Sequence, residues 1–164
     1  MEPSDDVLLQ SWDRQTEILT HLADLIDEST KNAKPSPYGW TITEHLAHIH
    51  ETRYSWLRTV SKPDADTVGE VYENIDGKFI PISDLNEIRN QLGLSAYAVR
   101  NAVQTCLEND VAHVGPYSHP IFFLQHMLWH EGYHFGLIVL ALRNAGAEPT
   151  EDWQEENVWG IWRS

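Results

Sequence analysis

The segment from His119 to Gly146, HPIFFLQHMLWHEGYHFGLIVLALRNAG, decides the fold of this chain. Its central part is almost entirely apolar, aromatic or histidine, and a helix that is apolar on all sides is usually a buried one. Within it His126, His130 and His134 recur at four-residue spacing. A four-residue step drifts by only about 40° around a helix axis, so the three imidazoles form one stripe.

This histidine stripe is expected to face the core, because Phe123 and Leu137 extend it. Buried polar groups need partners, so inward-facing histidines require a metal ion, carboxylates or one another. Two histidines four residues apart present their imidazoles on one face, within reach of a single ion. His130 and His134 are therefore the first candidate ligands, and His126 is the reserve.

Composition narrows the class of protein. The 164 residues suit one domain, residues 1–164, with a sizeable core. The formal charge of −14 argues against binding to nucleic acid or to an anionic membrane surface. Cys106 is the single cysteine, so no intrachain disulfide can form, and its place on an apolar stripe favours an inert thiol. Residues 1–6 lack the basic start of a signal peptide, so we expect a cytoplasmic protein.

Helical periodicity predicts an all-α four-helix bundle. The first helix starts near Ser4, a favourable N-cap. The second starts at the capping box Thr41-x-x-Glu44 and runs to about Val60. The third starts at Ser83, and the histidine segment is the fourth helix.

Two further segments complete the predicted organisation. The long connection 62–82 contains Asp76-Gly77, which predicts either a type I′ hairpin or a plain connecting loop. The tail 150–164 contains Trp153, Trp159 and Trp162, and aromatic area of this size favours burial. We expect the tail to pack near the open end of the metal site. We also expect a homodimer, for which the first helix with its Trp12 is one candidate face.

The second helix offers three histidines, His45, His48 and His50, as the source of a third ligand. Its apolar stripe centres closer to His45 than to His48, so periodicity alone does not select His48. The segment 130–134 also matches H-E-x-x-H of zinc proteases, but the extended protease pattern is absent. Glu131 is therefore better interpreted as a structural group or as a residue that supports the ligands.

A family resemblance adds to this interpretation. The segment 40–49, WTITEHLAHI, followed by Trp56, resembles the second-helix motif of the DinB/YfiT-like family of proposed metalloenzymes. The segment 128–146, LWHEGYHFGLIVLALRNAG, resembles the fourth-helix motif of the same family. Matched position by position, the resemblance implies that His48, His130 and His134 are the metal ligands. One departure is Phe135-Gly-Leu137, where many members have a basic residue, glycine and glutamine.

The resemblance implies a function only in broad terms. Some relatives are metal-dependent S-transferases that use a small thiol such as bacillithiol or mycothiol, and one group isomerises maleylpyruvate with such a thiol. A divalent ion lowers the pKa of a bound thiol or water, which makes either reaction chemically sensible. Three imidazoles suit zinc, nickel, iron or copper, with zinc and nickel first in our expectation.

Three functions therefore remain open from the sequence. The first is a transferase that acts on a small-molecule substrate with a small thiol, the second a metal-dependent hydrolase, and the third a non-catalytic metal-binding or dimerising bundle. An anionic thiol needs basic contacts, and the candidates for substrate binding are Arg53, Arg58 and Arg143. No residue is assigned as catalytic from the sequence.

Overall fold

The structure, a computed structural model, describes residues 3–163, with side chains from residue 5 onward. It is mostly helical, which confirms the predicted all-α class. Its elements in chain order are α1 Pro3–Asp24, α2 Ile42–Val60, α3 Lys62–Ala65, β1 Tyr72–Ile75, β2 Lys78–Pro81, α4 Leu85–Glu108, α5 Pro120–Asn144, α6 Glu151–Gln154, a π-helical turn Glu155–Trp159 and α7 Gly160–Arg163. No helix of the described residues is long and apolar enough to cross a membrane.

Local capping chemistry sets where three of the long helices begin. The Thr41 side chain accepts from the Glu44 amide and Glu44 reaches back to the Thr41 amide, so the predicted capping box is present. The carboxylate of Asp84 caps α4, which therefore begins two residues after the predicted Ser83. His119 caps α5 ahead of Pro120. The side chain of Ser4, the predicted cap of α1, lies outside the described residues.

The four long helices share one core, in which α1 and α2 each pack against α4 and α5 and α4 packs against α5. The core has two apolar clusters, one containing Trp12, Leu57 and Phe123 and the other containing Ile42, Ile88 and Ile138. A polar layer separates them, and its members are Gln15, Arg53, Ser95 and Glu131. Each long helix contributes a residue to this layer, and Arg53 of α2 meets Glu131 of α5 there.

The long connection between α2 and α4 contains the hairpin that was one of its two predicted forms. Strands β1 and β2 pair antiparallel, with Ile75 opposite Lys78. The two turn residues Asp76 and Gly77 have φ of 52° and 80°, the left-handed values that a type I′ turn requires. The short helix α3 between α2 and the hairpin was not predicted.

Two expectations about tryptophan are wrong. Trp12 is buried in the core, where its Nε1 donates to the carbonyl of Ala96, so it does not form a self-complementary face on α1. The tail packs on α1 through Val158 and Ile161, which cluster with Ile18. Trp153 is half-buried and packs against this cluster, as expected for a packed tail, whereas Trp159 and Trp162 remain exposed. A helical tail presents only one side to α1, and Val158, Ile161 and Trp153 occupy that side.

The histidine helix α5 is not buried on all sides, contrary to expectation. Its inner side is buried as predicted, with Phe123, Met127 and Ile138 fully inaccessible. The opposite side is exposed although it is apolar, and it carries Phe122, Gln125, Trp129, Gly132, Tyr133, Gly136 and Leu140. We call these seven residues the outer face of α5.

Candidate metal centre

Three imidazoles from two helices meet at one point. The Nε2 atom of His130 lies 3.2 Å from the Nε2 atom of His48 and 3.2 Å from that of His134. His48 comes from the middle of α2, and the other two come from adjacent turns of α5. The donor atoms of the three residues all lie within 4.8 Å of one another, so the three residues could hold one metal ion.

The spacing of these nitrogens fits a metal better than hydrogen bonding alone. Two imidazole nitrogens about 2.0–2.1 Å from a tetrahedral ion lie about 3.3–3.4 Å apart. A neutral imidazole has one N–H and one lone pair, so the single N–H of His130 can make only one well-formed hydrogen bond at Nε2, whereas a cation would bind all three lone pairs. Three protein ligands also leave a coordination position open, as in catalytic sites.

The electrostatic environment keeps these histidines neutral, the form in which they bind a metal. Burial, reinforced by the neighbouring His48, lowers the pKa of His130 to about 4. Burial and the adjacent His130, His48 and His45 lower the pKa of His134 to about 3. Burial alone lowers the pKa of His48. The site is therefore neutral at pH 7.

A fourth histidine supports the cluster from behind. The Nδ1 atom of His45 lies 2.8 Å from the Nδ1 atom of His134, on the side of that ring opposite the cluster. If the N–H is at Nδ1 of His134 and His45 accepts it, the His134 lone pair at Nε2 points at the cluster. A hydrogen bond at the ring nitrogen that does not face the metal fixes the tautomer of a metal-binding histidine. Burial, together with the charge of His48, lowers the pKa of His45.

The cluster forms one wall of a cavity of about 590 Å³. Aromatic rings form much of the remaining wall, and the aromatic members are Tyr38, Trp40, Trp129 and Tyr133. The lining residues that the structure describes include no carboxylate, lysine or arginine. They also include no residue of the tail, so the expected position of the tail beside the open end of the site is wrong. Sequence reasoning missed this aromatic wall, although Trp129 and Tyr133 flank His130 in the sequence.

None of the three predicted substrate-binding arginines lines this cavity. Arg53 is fully buried, and its Nε donates to Glu131 Oε1 at 2.7 Å. Arg143 is exposed near the end of α5 and pairs with Glu148. Arg58 lines a separate cavity of about 420 Å³ between α2 and the hairpin, which touches the centre only through His48.

The remaining histidine and glutamate candidates have other partners. Glu131 is buried against Arg53 in the polar layer and does not belong to the cluster, which is consistent with a structural role rather than that of a protease base. The Nδ1 atom of His126, the reserve ligand, lies 2.7 Å from the hydroxyl of Tyr117. His50 lies between the carbonyls of Gln91 and Gly69.

Comparisons with known proteins give one result. Neither the curated proteins nor the solved structures that were searched contain a match to this chain. A sequence profile of the DinB superfamily matches residues 11–138, which include His48, His130 and His134. The matched region covers most of the chain and extends from within α1 to the buried part of α5. The chain therefore belongs to the DinB superfamily.

Proposed function

We propose that this protein is a metal-dependent enzyme that transfers a small thiol to an uncharged, largely apolar electrophile. In this proposal the long helices form a DinB-like four-helix bundle, and His48, His130 and His134 hold one divalent ion. The observation that supports it most is the convergence of three neutral imidazoles on the wall of an open aromatic cavity. A non-catalytic metal site would have no need of this cavity.

The chain's own residues have distinct roles in this proposal. A divalent ion at the site would lower the pKa of a bound thiol or water and so supply a nucleophile near neutral pH. His45 holds the ring of His134 in the orientation that the site needs. The rings of Trp40, Trp129 and Tyr133 would hold a flat apolar substrate beside the site and exclude water from it.

The charge of the cavity lining restricts the thiol. The lining of the aromatic cavity offers no cation to neutralise an anionic thiol, and Arg53 and Arg143 are already paired. Arg58 lies in the separate cavity that shares only His48 with the aromatic one. The structure therefore favours a thiol with little negative charge. The same observation favours hydrolysis by activated water as the second candidate function, because water needs no basic contact.

Metal binding is the first test. Untagged protein dialysed against zinc or nickel should retain about one ion per chain, measured by elemental analysis. His130→Ala should abolish this stoichiometric binding, because two imidazoles do not hold the ion tightly. His126→Ala is the matched control on the same helix and should bind normally. Full occupancy in the His130→Ala variant would contradict the ligand assignment.

Two assays on the metal-loaded protein separate the candidate functions. In the first, 2-mercaptoethanol or glutathione is combined with 1-chloro-2,4-dinitrobenzene, a neutral aromatic electrophile. In the second, 4-nitrophenyl acetate is hydrolysed without thiol. We expect metal-dependent turnover in the first assay, faster with the uncharged thiol and absent in His130→Ala. Turnover in the second assay alone would favour the hydrolase, and turnover in neither would contradict catalysis on these substrate classes.

A further inference from the structure

A second cavity, which the proposed function does not use, lies between α2 and the hairpin of β1 and β2. We call it the hairpin cavity. Its volume of about 420 Å³ is in the range of small-molecule sites, and it meets the aromatic cavity only at His48. The wall on α2 consists of residues at helical spacing, which therefore share one side of that helix: His48, Glu51, Tyr54 and Arg58.

The hairpin supplies the opposite wall, and β2 packs against α2. Tyr72 and Phe79 lie on one face of the hairpin, because the strand register places them on the side that lines the cavity. Glu70, just before β1, completes this wall. Side chains alternate along a strand, so Glu73 and Lys78 lie on the other face. The two strands therefore add no cation to the hairpin cavity.

The charge of the hairpin cavity is negative. Glu51 and Glu70 contribute two carboxylates, and Arg58 is the one cation among the lining residues that the structure describes. The Arg58 guanidinium lies over the ring of Tyr54, with its Cζ atom 5.8 Å from the ring centroid. Burial and the charge of Glu70 raise the pKa of Glu51, and Arg58 offsets them only in part. The hairpin cavity therefore favours a positively charged occupant.

The aromatic rings favour an organic cation over a metal ion. The faces of Tyr54, Tyr72 and Phe79 can attract an ammonium group and cover the carbon chain attached to it. Burial and nearby carboxylates raise the pKa of Tyr72 to about 12, so its hydroxyl stays neutral and able to form hydrogen bonds. Among the described residues, Glu51 and Glu70 are not part of a group whose donor atoms lie close enough to share a metal ion.

We propose that the hairpin cavity binds the ammonium group of a small primary amine. Glu51 and Glu70 accept hydrogen bonds from the ammonium group, and the three rings pack against its carbon chain. This site is distinct from the aromatic cavity and requires neither a metal ion nor the transferase activity proposed above. Because His48 borders both cavities, a bound amine would lie beside the candidate metal centre.

Isothermal titration calorimetry on the chelator-treated full chain tests the proposal with three probes of equal chain length: hexylamine, hexan-1-ol and hexanoate. We expect hexylamine alone to bind, at about one molecule per chain. Salt at about 0.15 M screens unspecific attraction to the acidic surface. Glu51→Gln should weaken hexylamine binding roughly tenfold to a hundredfold, because it removes a charge-assisted hydrogen bond at nearly unchanged volume. Glu73→Gln, the matched control on the other face of the hairpin, should bind normally.

Arg58→Gln tests the sign of the recognised charge. It should tighten hexylamine binding several-fold, because it removes the cation that competes for the carboxylates. Binding of hexanoate that Arg58→Gln abolishes would overturn the proposal in favour of an anion site. Equal weakening by Glu51→Gln and Glu73→Gln would overturn it in favour of unspecific attraction, and so would the absence of hexylamine binding at millimolar concentration. Circular dichroism would show that each variant is folded.

Discussion

His130 and His134 have pKa values of about 4 and about 3, well below that of a free imidazole, chiefly because they are buried. Their pKa in an unfolded chain is about 6.5. Imidazoles with this ordinary pKa would lose metal affinity as pH drops through roughly 6.5, because only the neutral form binds a metal. The lowered values move that fall to more acidic pH, because the folded site remains neutral and competent to bind below pH 6.

The same shifts predict how the stability of the metal-free protein depends on pH. Below about pH 6.5 the unfolded chain gains protons that folded His130 and His134 do not, so acid favours unfolding. The stabilisation is complete above about pH 6.5 and is lost progressively as pH falls towards 4. Thermal unfolding of chelator-treated protein at pH 7 and pH 5 measures this loss. His134→Gln should reduce the difference, and an unchanged difference would show that other groups cause it.

One buried ion pair joins α2 and α5, the two helices that carry the three clustered histidines. Arg53 of α2 lies five residues after His48, and Glu131 of α5 follows His130 directly. Arg53 also donates to the carbonyl of Leu92 and lies over the ring of Trp12, so the pair is held on several sides. The Arg53 Nη2 and Glu131 Oε2 atoms nevertheless have no hydrogen-bond partner among the described residues. No other described residue can therefore replace Arg53 or Glu131 as the partner of the remaining charge.

Removing one member of this pair should be costly. Arg53→Met leaves a buried carboxylate without its partner, and we expect a loss of about 3–5 kcal/mol in the free energy of unfolding. Arg53→Met combined with Glu131→Leu should be more stable than the single variant, because no uncompensated charge remains. Urea denaturation measures both. Arg143→Met, which breaks the exposed pair with Glu148, serves as the control and should leave stability essentially unchanged.

The helical tail is the second element with a testable role. Its buried residues Val158 and Ile161 pack on α1, and Arg14 donates to the Trp162 carbonyl. Deleting residues 151–164 should lower the free energy of unfolding by about 3–5 kcal/mol, from the loss of the buried aliphatic surface and of the half-buried Trp153. The double variant Trp159→Ser with Trp162→Ser should cost much less, because both rings are exposed. An equal loss in both proteins would assign the stabilisation to the tryptophans instead.

For the whole molecule, we expect the fold to survive removal of the metal. Both apolar clusters of the core consist of residues other than the three histidines. The apolar surface that the helices bury against one another therefore stabilises the fold without an ion. A chelator at neutral pH should leave the helical circular dichroism intact. It should lower the melting temperature only by the amount that metal binding to the folded state had raised it. Complete unfolding would instead make the ion structural.

The sequence predicts those features that depend on residues close together along the chain. The capping box at Thr41 and the turn at Asp76-Gly77 depend on residues a few positions apart, so local chemistry specifies them. The choice between His45 and His48 is not local. The apolar stripe of α2 points to the core, where His45 is buried, whereas the half-buried His48 lies at the border between core and cavity. The sequence also did not predict that the outer face of α5 is exposed. Apolar side chains indicate burial, but they do not show whether another element packs against them.

The position of Trp40 gives the protein an optical consequence. Its indole stacks nearly parallel to the ring of His134, with an interplanar angle of 3° and a centroid distance of 6.1 Å, and it meets the ring of His48 edge-on. Excited indole transfers energy or electrons to nickel or copper at such short range, whereas zinc has a filled d shell and accepts neither. Replacing Trp40 with Phe should therefore remove much of the fluorescence that nickel or copper quenches and zinc does not, and Trp129, which lines the same cavity, should account for the rest. The emission of Trp40 would therefore report which ion the protein binds.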